Sequence, residues 1–244
     1  MIKFFRNIRK KILEQGKTTN YLKYAFGEIV LVVIGILIAL QINNWNEYRK
    51  DRIIERKLLI ELNENLESNA TRLKSDMQKE LTSISIIEFV LNHLDNRRPY
   101  HDSLDVYFNK ALFSPDIVLS TSGFESIKLK GFQVVSKDTL RKSIRDLFEV
   151  RYDNMLSETV RLEDQFWPSS VLPLKHKHFR ISEGRSKPVD YKKLLDDESF
   201  KNMISDRMHF RKLAYKHKSE SLIQTEFLMR QIEIELKEKN NPMN

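Results

Sequence analysis

The sequence predicts an all-α protein: a single N-terminal transmembrane helix that continues into a long helix and an extramembrane helical bundle. Three observations predict it. An uninterrupted apolar run, Ile29–Leu40, follows a strongly basic arm. Apolar residues then recur by threes and fours from Leu59 to Leu94, and no Pro or Gly occurs between Arg49 and Arg98. Gly and Pro number only six each in 244 residues, and such sparse punctuation favours long helices over many short strands. The expected divisions are a cytoplasmic arm, 1–20, a transmembrane helix, 21–45, and a helical extracytoplasmic domain, 46–244.

In the arm, Phe5, Ile8 and Ile12 recur at helical spacing, while Lys3, Arg6, Arg9, Lys10 and Lys11 supply cations on the other side. One reading is a short amphipathic helix lying on an anionic leaflet. The other is a positive tail that sets topology alone. Gly16 is the expected stop, and Thr18, Thr19 or Asn20 the expected cap of the next helix.

Twelve apolar residues alone are too short to span, which takes about 20. The flanks lengthen the run. Tyr21 to Ile42 covers about 33 Å at 1.5 Å per residue, against a hydrocarbon core near 30 Å. Tyr21 and Tyr24 at one end and Trp45 at the other suit the two interfaces. A central helix of a soluble core is the competing reading. Residues 1–26 hold seven cations against one acid, Glu14, whereas Arg49, Lys50, Arg52, Arg56 and Lys57 follow the run mixed with acids. The expected N-terminus is therefore cytoplasmic, in an inner-membrane protein with a periplasmic C-terminal domain. A cleaved signal peptide is disfavoured, because Ala39–Asn43 lacks a small-x-small cleavage site.

Further along, one helix is expected from about Asn46 to Asn96, its stripe including Met77, Leu81, Ile84, Leu91 and Leu94. Arg97-Arg98-Pro99 ends it. At about 75 Å it needs partners along its length, from this chain or from others. Short helices follow at His101–Phe113, capped by Asp102 or Ser103, and from Thr121–Ser122 to Gly131. A longer one runs from Ser136–Thr139 to about Phe166 and is ended by Trp167-Pro168. Residues 168–190, with Pro168, Pro173, Gly184 and Pro188, read as an extended loop. The last helix is expected from Asp197 to Lys239, with Arg207, Arg211, Lys212, Lys216 and Lys218 forming a basic sector, by default a solvated face.

The segment Gly27-Glu-Ile-Val-Leu-Val-Val-Ile-Gly-Ile-Leu-Ile-Ala-Leu-Gln-Ile-Asn-Asn-Trp-Asn-Glu47 resembles a family of uncharacterised single-pass membrane proteins from Bacteroidota. Thr121 to Gly131, with Leu140 and Tyr152 beyond it, is similar to that family's central motif, an aromatic-Glu-x-Leu-Lys-x-x-Gly pattern ahead of a helix with tyrosines near its end. Here Ile127 replaces the Leu, and Phe148 stands near an expected Tyr. The resemblance implies a membrane anchor with a helical extramembrane domain and assigns no catalytic residue.

Candidate membrane or partner contacts are Glu28, Gly35, Ala39, Gln41 and Trp45. Glu28 falls about 10 Å from the midplane of the run, inside the hydrocarbon. It is open to three readings: a protonated or snorkelling acid, a partner contact, or part of an ion path. Gly35-x-x-x-Ala39 is a spacing that lets two helices approach closely. His176 and His178 would share one side of an extended strand, but zinc needs three or four ligands. There is no Cys, no glycine-rich phosphate loop and no nucleophile motif. The net charge is +8, of which residues 1–26 hold six (seven cations less Glu14), so nucleic acid is not an expected partner. The expected partners are the lipid bilayer and other membrane or envelope proteins, a second copy of the chain included. No cofactor is expected. The leading functional expectation is a non-enzymatic membrane-anchored interaction or scaffold protein, an accessory subunit of an envelope complex. The alternative is a periplasmic small-ligand sensor bundle, and an enzyme is third.

Overall fold

The structure is a computed structural model that describes the backbone of residues 18–238 and the side chains of 26–238 other than 159, 160 and 162. Lys3, Arg6, Arg9, Lys10 and Lys11 of the arm lie outside the described residues. Among the described residues the protein is helical apart from one small hairpin and the short connections between elements, and the chain divides into two units, residues 1–54 and 55–244. Helix α1, Thr18–Asp95, contributes to both. Its end is set by backbone geometry: Arg97 adopts φ 47°, the Arg98 N–H donates to the His93 carbonyl (3.1 Å), and the Arg97 N–H donates to Leu94 (3.0 Å). That is a Schellman closure, with arginine where glycine is usual and Pro99 just beyond.

In the unit 55–244, the buried seam of α1 is Glu55, Leu59, Leu62, Leu66, Asn69, Leu73, Asp76, Glu80, Ser83, Ile87, Val90 and Leu94, with Ala70 buried beside it. The spacing alternates four and three throughout, the 3.5-residue repeat of a packed helical seam. Helix α8, Glu198–Glu238, runs antiparallel to it with the same rhythm: Ile204, Arg207, Arg211, Ala214, Lys218, Ser221, Thr225, Leu228, Ile232 and Glu235 are buried. Ion pairs Lys201–Asp95, Lys212–Glu88 and Lys74–Glu226 mark the opposed directions. The middle of each seam is polar, at Asp76, Glu80 and Ser83 on α1 and at Arg207, Arg211, Lys218, Ser221 and Thr225 on α8, and each seam also carries a buried acid at one end, Glu55 and Glu235. The expected stripe through Met77, Leu81 and Ile84 is therefore corrected. Leu81 is 41% exposed and the other two are half-buried, because the seam keeps its phase through Asp76, Glu80 and Ser83.

Helix α2, Leu104–Ala111, starts at Ser103, which makes no side-chain cap. Thr121, the residue that precedes helix α3, Ser122–Lys130, makes no side-chain cap. The cap comes from α1: Asn65 Oδ1 accepts from the Gly123 N–H (2.7 Å) and from Ser122 Oγ (2.8 Å). One helical turn away, Asn69 exchanges two bonds with the Ser120 backbone (2.9 and 2.7 Å). Glu55 accepts from both the N–H and the hydroxyl of Ser136 (2.6 and 2.9 Å). This polar ladder seats residues 120–136 along α1. Gly123 is required there, since a Cβ would stand 2.7 Å from the Leu62 Cα.

Helix α4, Asp138–Arg145, leads into a π-helical stretch, Asp146–Tyr152, then α5, Asp153–Phe166, a second π stretch, Trp167–Val171, and α6, Leu172–His178. Two expectations are corrected here. Trp167-Pro168 does not end the helical path, and 168–190 is not a loop. A proline removes an N–H and crowds the carbonyl four residues back; the wider π turn that opens at Pro168 accommodates both effects. The path ends at a hairpin, β1 Phe179–Ser182 and β2 Arg185–Pro188, antiparallel with Phe179 opposite Pro188. Its two-residue turn, Glu183-Gly184, has φ of 47° and 76°, the primed geometry that matches strand twist. A short helix α7, Tyr191–Leu195, is capped by the Asp190 carboxylate and precedes α8. Phe108, Phe179, Phe200 and Ile204 close an apolar core with Ile87, Val90 and Leu94 at this end.

Candidate functional site

Three places concentrate unusual chemistry. The first is the apolar stretch of α1. Its side chains from Ile29 to Leu40 are exposed, and none of its most apolar 18-residue stretch is buried against another part of the protein among the described residues. The helix is long and apolar enough to cross a membrane by length and composition. Ten Leu, Ile and Val residues lie in this run. On a biological insertion scale they favour the bilayer by roughly 3–6 kcal/mol, against about 2.5–3.5 kcal/mol for one charge at the centre. Glu28 is half-buried and lies away from the centre of the run. Gly35 costs about 0.5–1 kcal/mol in a helix interior relative to alanine. Nothing lies within 4 Å of the Cβ it lacks, so no packing among the described residues requires glycine there. Ala39 and Gln41 are exposed, as is Trp45 at 63%. Beyond the run, the Arg49 guanidinium sits 5.7 Å over the Trp45 ring and that of Arg52 sits 5.0 Å over Tyr48.

The second place is the polar middle of the bundle. Lys218, 1% exposed, donates to Asp76 Oδ2 and, at 2.5 Å, to Glu80 Oε1. Arg211 NH1 lies 3.5 Å from Glu80 Oε2 and its NH2 donates to Glu163. Arg207, fully buried, reaches Glu163 Oε2 at 3.3 Å and the Ala111 carbonyl at 3.2 Å. Three cations thus face three carboxylates, with Glu163 of α5 the most exposed of the six at 17%. Burial pushes the Glu80 carboxyl up, and Arg211 and Lys218 pull it back only in part. Burial likewise lowers Arg207, with Glu163 opposing. The basic sector expected on a solvated face is corrected: Arg207, Arg211 and Lys218 point inward, while Lys212 and Lys216 stay exposed. Their partners Asp76 and Glu80 carried a sequence signal, since they continue the leucine spacing from Leu73 to Ile87. Glu163 carried none.

The third place is a cavity of about 710 Å³ lined by Lys177, His178, Asp190, Lys193, Asp197 and neighbours. His178 is buried, not on a solvated basic loop, and both His176 and His178 stand on helix α6 rather than on a strand. Its Nε2 lies 2.8 Å from Asp197 Oδ2, which also accepts from Lys177 at 2.5 Å. The other Asp197 oxygen accepts the Phe200 N–H (3.1 Å) and so caps α8. Burial raises the Asp197 carboxyl, but these three donors outweigh it and hold it far below the usual carboxylate range. Asp190 caps α7, and Asp196 pairs with Arg97 at 2.8 Å. The charges around this cavity are therefore spent on the protein itself. His217 pairs with Glu158 at 3.0 Å. Among the described residues, no group of three or more His, Cys, Asp or Glu side chains is placed to hold a metal ion.

Compared with known proteins, residues 28–208 match the model of a family described as a family of unknown function (DUF6090). No curated protein and no solved structure matches the chain.

Proposed function

We propose that this chain, which belongs to the DUF6090 family of unknown function, is a single-pass membrane-anchored interaction protein, an accessory or scaffold subunit of an envelope complex rather than an enzyme. The observation that carries the reading is the bare apolar surface from Ile29 to Leu40. That surface requires a solvent other than water, and lipid supplies it. Charge supports the orientation: seven cations precede the run against five after it up to Lys57, which favours a cytoplasmic arm, an inner-membrane span and a periplasmic bundle. Gly35 supports a partner within the membrane. A glycine that no atom among the described residues requires, one turn from Ala39, permits close approach of a second helix.

The bundle supports an interaction role more than a chemical one. Its densest charge cluster pairs internally, and so do the groups around the 710 Å³ cavity. A sensor reading would have to place its ligand in that cavity. The test is in-membrane photocrosslinking from single positions, Gly35 and Ala39 on one face and Leu37 on another. The reading expects a discrete adduct, with a second copy or with an envelope protein, from Gly35 and Ala39 alone. Lipid adducts alone at all three positions would refute the partner. A saturable ligand-induced rise in melting temperature would favour the sensor.

A further inference from the structure

Within the unit 55–244, one side of α1 carries an open groove. Thr71, Ser75, Gln78, Thr82 and Ile86 recur there by threes and fours, which keeps them on one face. The other wall is the end of α2 and the extended chain beyond it, residues 113–120. Two adjoining cavities, of about 300 and 420 Å³, are lined by both walls and share Lys79. The first is bounded by Lys79, Thr82, Ile86, Lys110, Phe113 and Pro115, and no acid lines it. Lys79 lies 3.5 Å from Asp76 Oδ1, but that buried carboxylate accepts a closer bond from Lys218. Phe113 is 63% exposed, so a bare aromatic ring stands beside two cations. The second cavity carries both signs, Arg72 and Lys79 with Asp76 and Asp116. An acid in an occupant therefore belongs at the Lys79–Lys110 end. Along the extended wall, the Val118 carbonyl accepts from Arg72 (2.8 Å). The N–H groups of Asp116, Ile117 and Val118 have no acceptor among the described residues, and such a chain can pair with the main chain of a second extended segment. A small molecule fits less well. Ligand pockets bury most of a ligand's surface, whereas Lys79, Lys110, Phe113 and Val118 are all exposed.

We propose that this groove receives an extended segment of a partner protein, one that sets an apolar side chain against Ile86, Phe113 and Pro115 and a carboxylate beside Lys79 and Lys110. The inference rests on the interaction reading above and gives the partner a chemistry: an acidic, apolar, extended peptide. Phe113 supplies the apolar contact, the two lysines supply charge complementarity, and the main chain of residues 116–118 supplies hydrogen bonds that do not depend on the partner's side chains.

The test is selection of a phage-displayed library of random peptides on the full chain in phosphatidylcholine nanodiscs. Empty discs and discs carrying the Phe113→Ser chain remove peptides that bind elsewhere. The groove predicts enrichment of peptides that place Asp or Glu close to an aromatic or branched apolar residue. Synthetic copies should bind the parent chain and lose measurable binding to Phe113→Ser. Lys79→Gln with Lys110→Gln should weaken them about three- to tenfold. Added salt should weaken binding to the parent and have little effect on binding to the double variant. The three side chains are exposed, so each variant should keep the parent's melting temperature. Enrichment of no peptide, peptides without an acid, or binding that survives both sets of substitutions overturns the proposal. So does saturable binding of dodecanoate that needs the two lysines while no peptide is enriched, which would make a fatty carboxylate the occupant. These failures leave the broader interaction reading standing, because crosslinking from Gly35 and Ala39 tests that reading within the membrane.

Discussion

Replacing Lys218 with methionine should destabilise the bundle sharply, and more so at high pH. The ammonium is 1% exposed and is shared by Asp76 and Glu80, which are 2% and 0% exposed. Lys218→Met removes the cation and strands two buried carboxylates, with Lys79 at 3.5 Å from Asp76 and Arg211 at 3.5 Å from Glu80 as the ionic partners left to them. Breaking one side of a buried pair costs about 3–5 kcal/mol. For a unit of this size that is roughly 6–20 °C in melting temperature. The pH dependence has a definite sign. The Glu80 carboxyl is raised above its ordinary 4.5 in the folded chain. The folded state therefore keeps a proton that the unfolded state has lost, and stability from this group falls as pH rises from about 4.5 through the folded value. Without Lys218 the carboxyl rises further. The variant should thus lie closer to the parent at pH 5 than at pH 8. Thermal unfolding of the full chain in detergent, followed by circular dichroism at both pH values, checks this. Adding Asp76→Asn should recover part of the loss. A shift below about 2 °C, or a larger deficit at pH 5 than at pH 8, would refute the view that these carboxylates depend on Lys218.

Gly123→Ala places a methyl against the Leu62 backbone at 2.7 Å and should cost about 1–3 kcal/mol, as overpacking does, seen as a lower urea midpoint. Gly35→Ala meets nothing within 4 Å, so it should leave the melting temperature unchanged or raised but weaken any crosslink formed from Ala39. Asp197→Asn should lower stability above pH 4 and matter less in acid. The native carboxylate stabilises the fold above its ordinary 3.8, and that stabilisation is lost as pH falls toward its lower folded value; acid titration of both proteins by circular dichroism would show the two curves converging.

The long helices were legible because their repeat is long and uninterrupted: Leu59, Leu62, Leu66 and Leu73 mark the seam of α1 in the sequence itself. What misled was the middle of that seam. Apolarity pointed to Met77, Leu81 and Ile84, one position away from Asp76, Glu80 and Ser83. A stripe read by hydrophobicity alone cannot follow a seam whose central layer is ionic. The same blindness put Arg207, Arg211 and Lys218 outside, although their spacing of four and seven matches the buried phase of α8. Pro168 and Pro173 read as breakers because a proline ordinarily ends an α-helix; the π turn that tolerates Pro168 leaves no mark in composition. The hairpin had a signal in Glu183-Gly184 flanked by Ile181 and Ser186, but it was hidden in a stretch read as loop. The cap of α3 could not be found locally, because Asn65 lies 58 residues from Gly123.

The claim on which the rest depends is that lipid surrounds α1 from Val30 to Ala39. The chain has no cysteine, so single cysteines placed one by one across this stretch can each carry a nitroxide spin label in reconstituted bilayers. Collision with oxygen, which partitions into hydrocarbon, is compared with collision with a water-soluble nickel complex. The account predicts that oxygen prevails over nickel at every position outside a helix–helix contact at Gly35 and Ala39, with the greatest excess near the centre of the run. Nickel prevailing at these positions, or both reagents excluded around the whole helix, would place the segment in water or inside protein and contradict it.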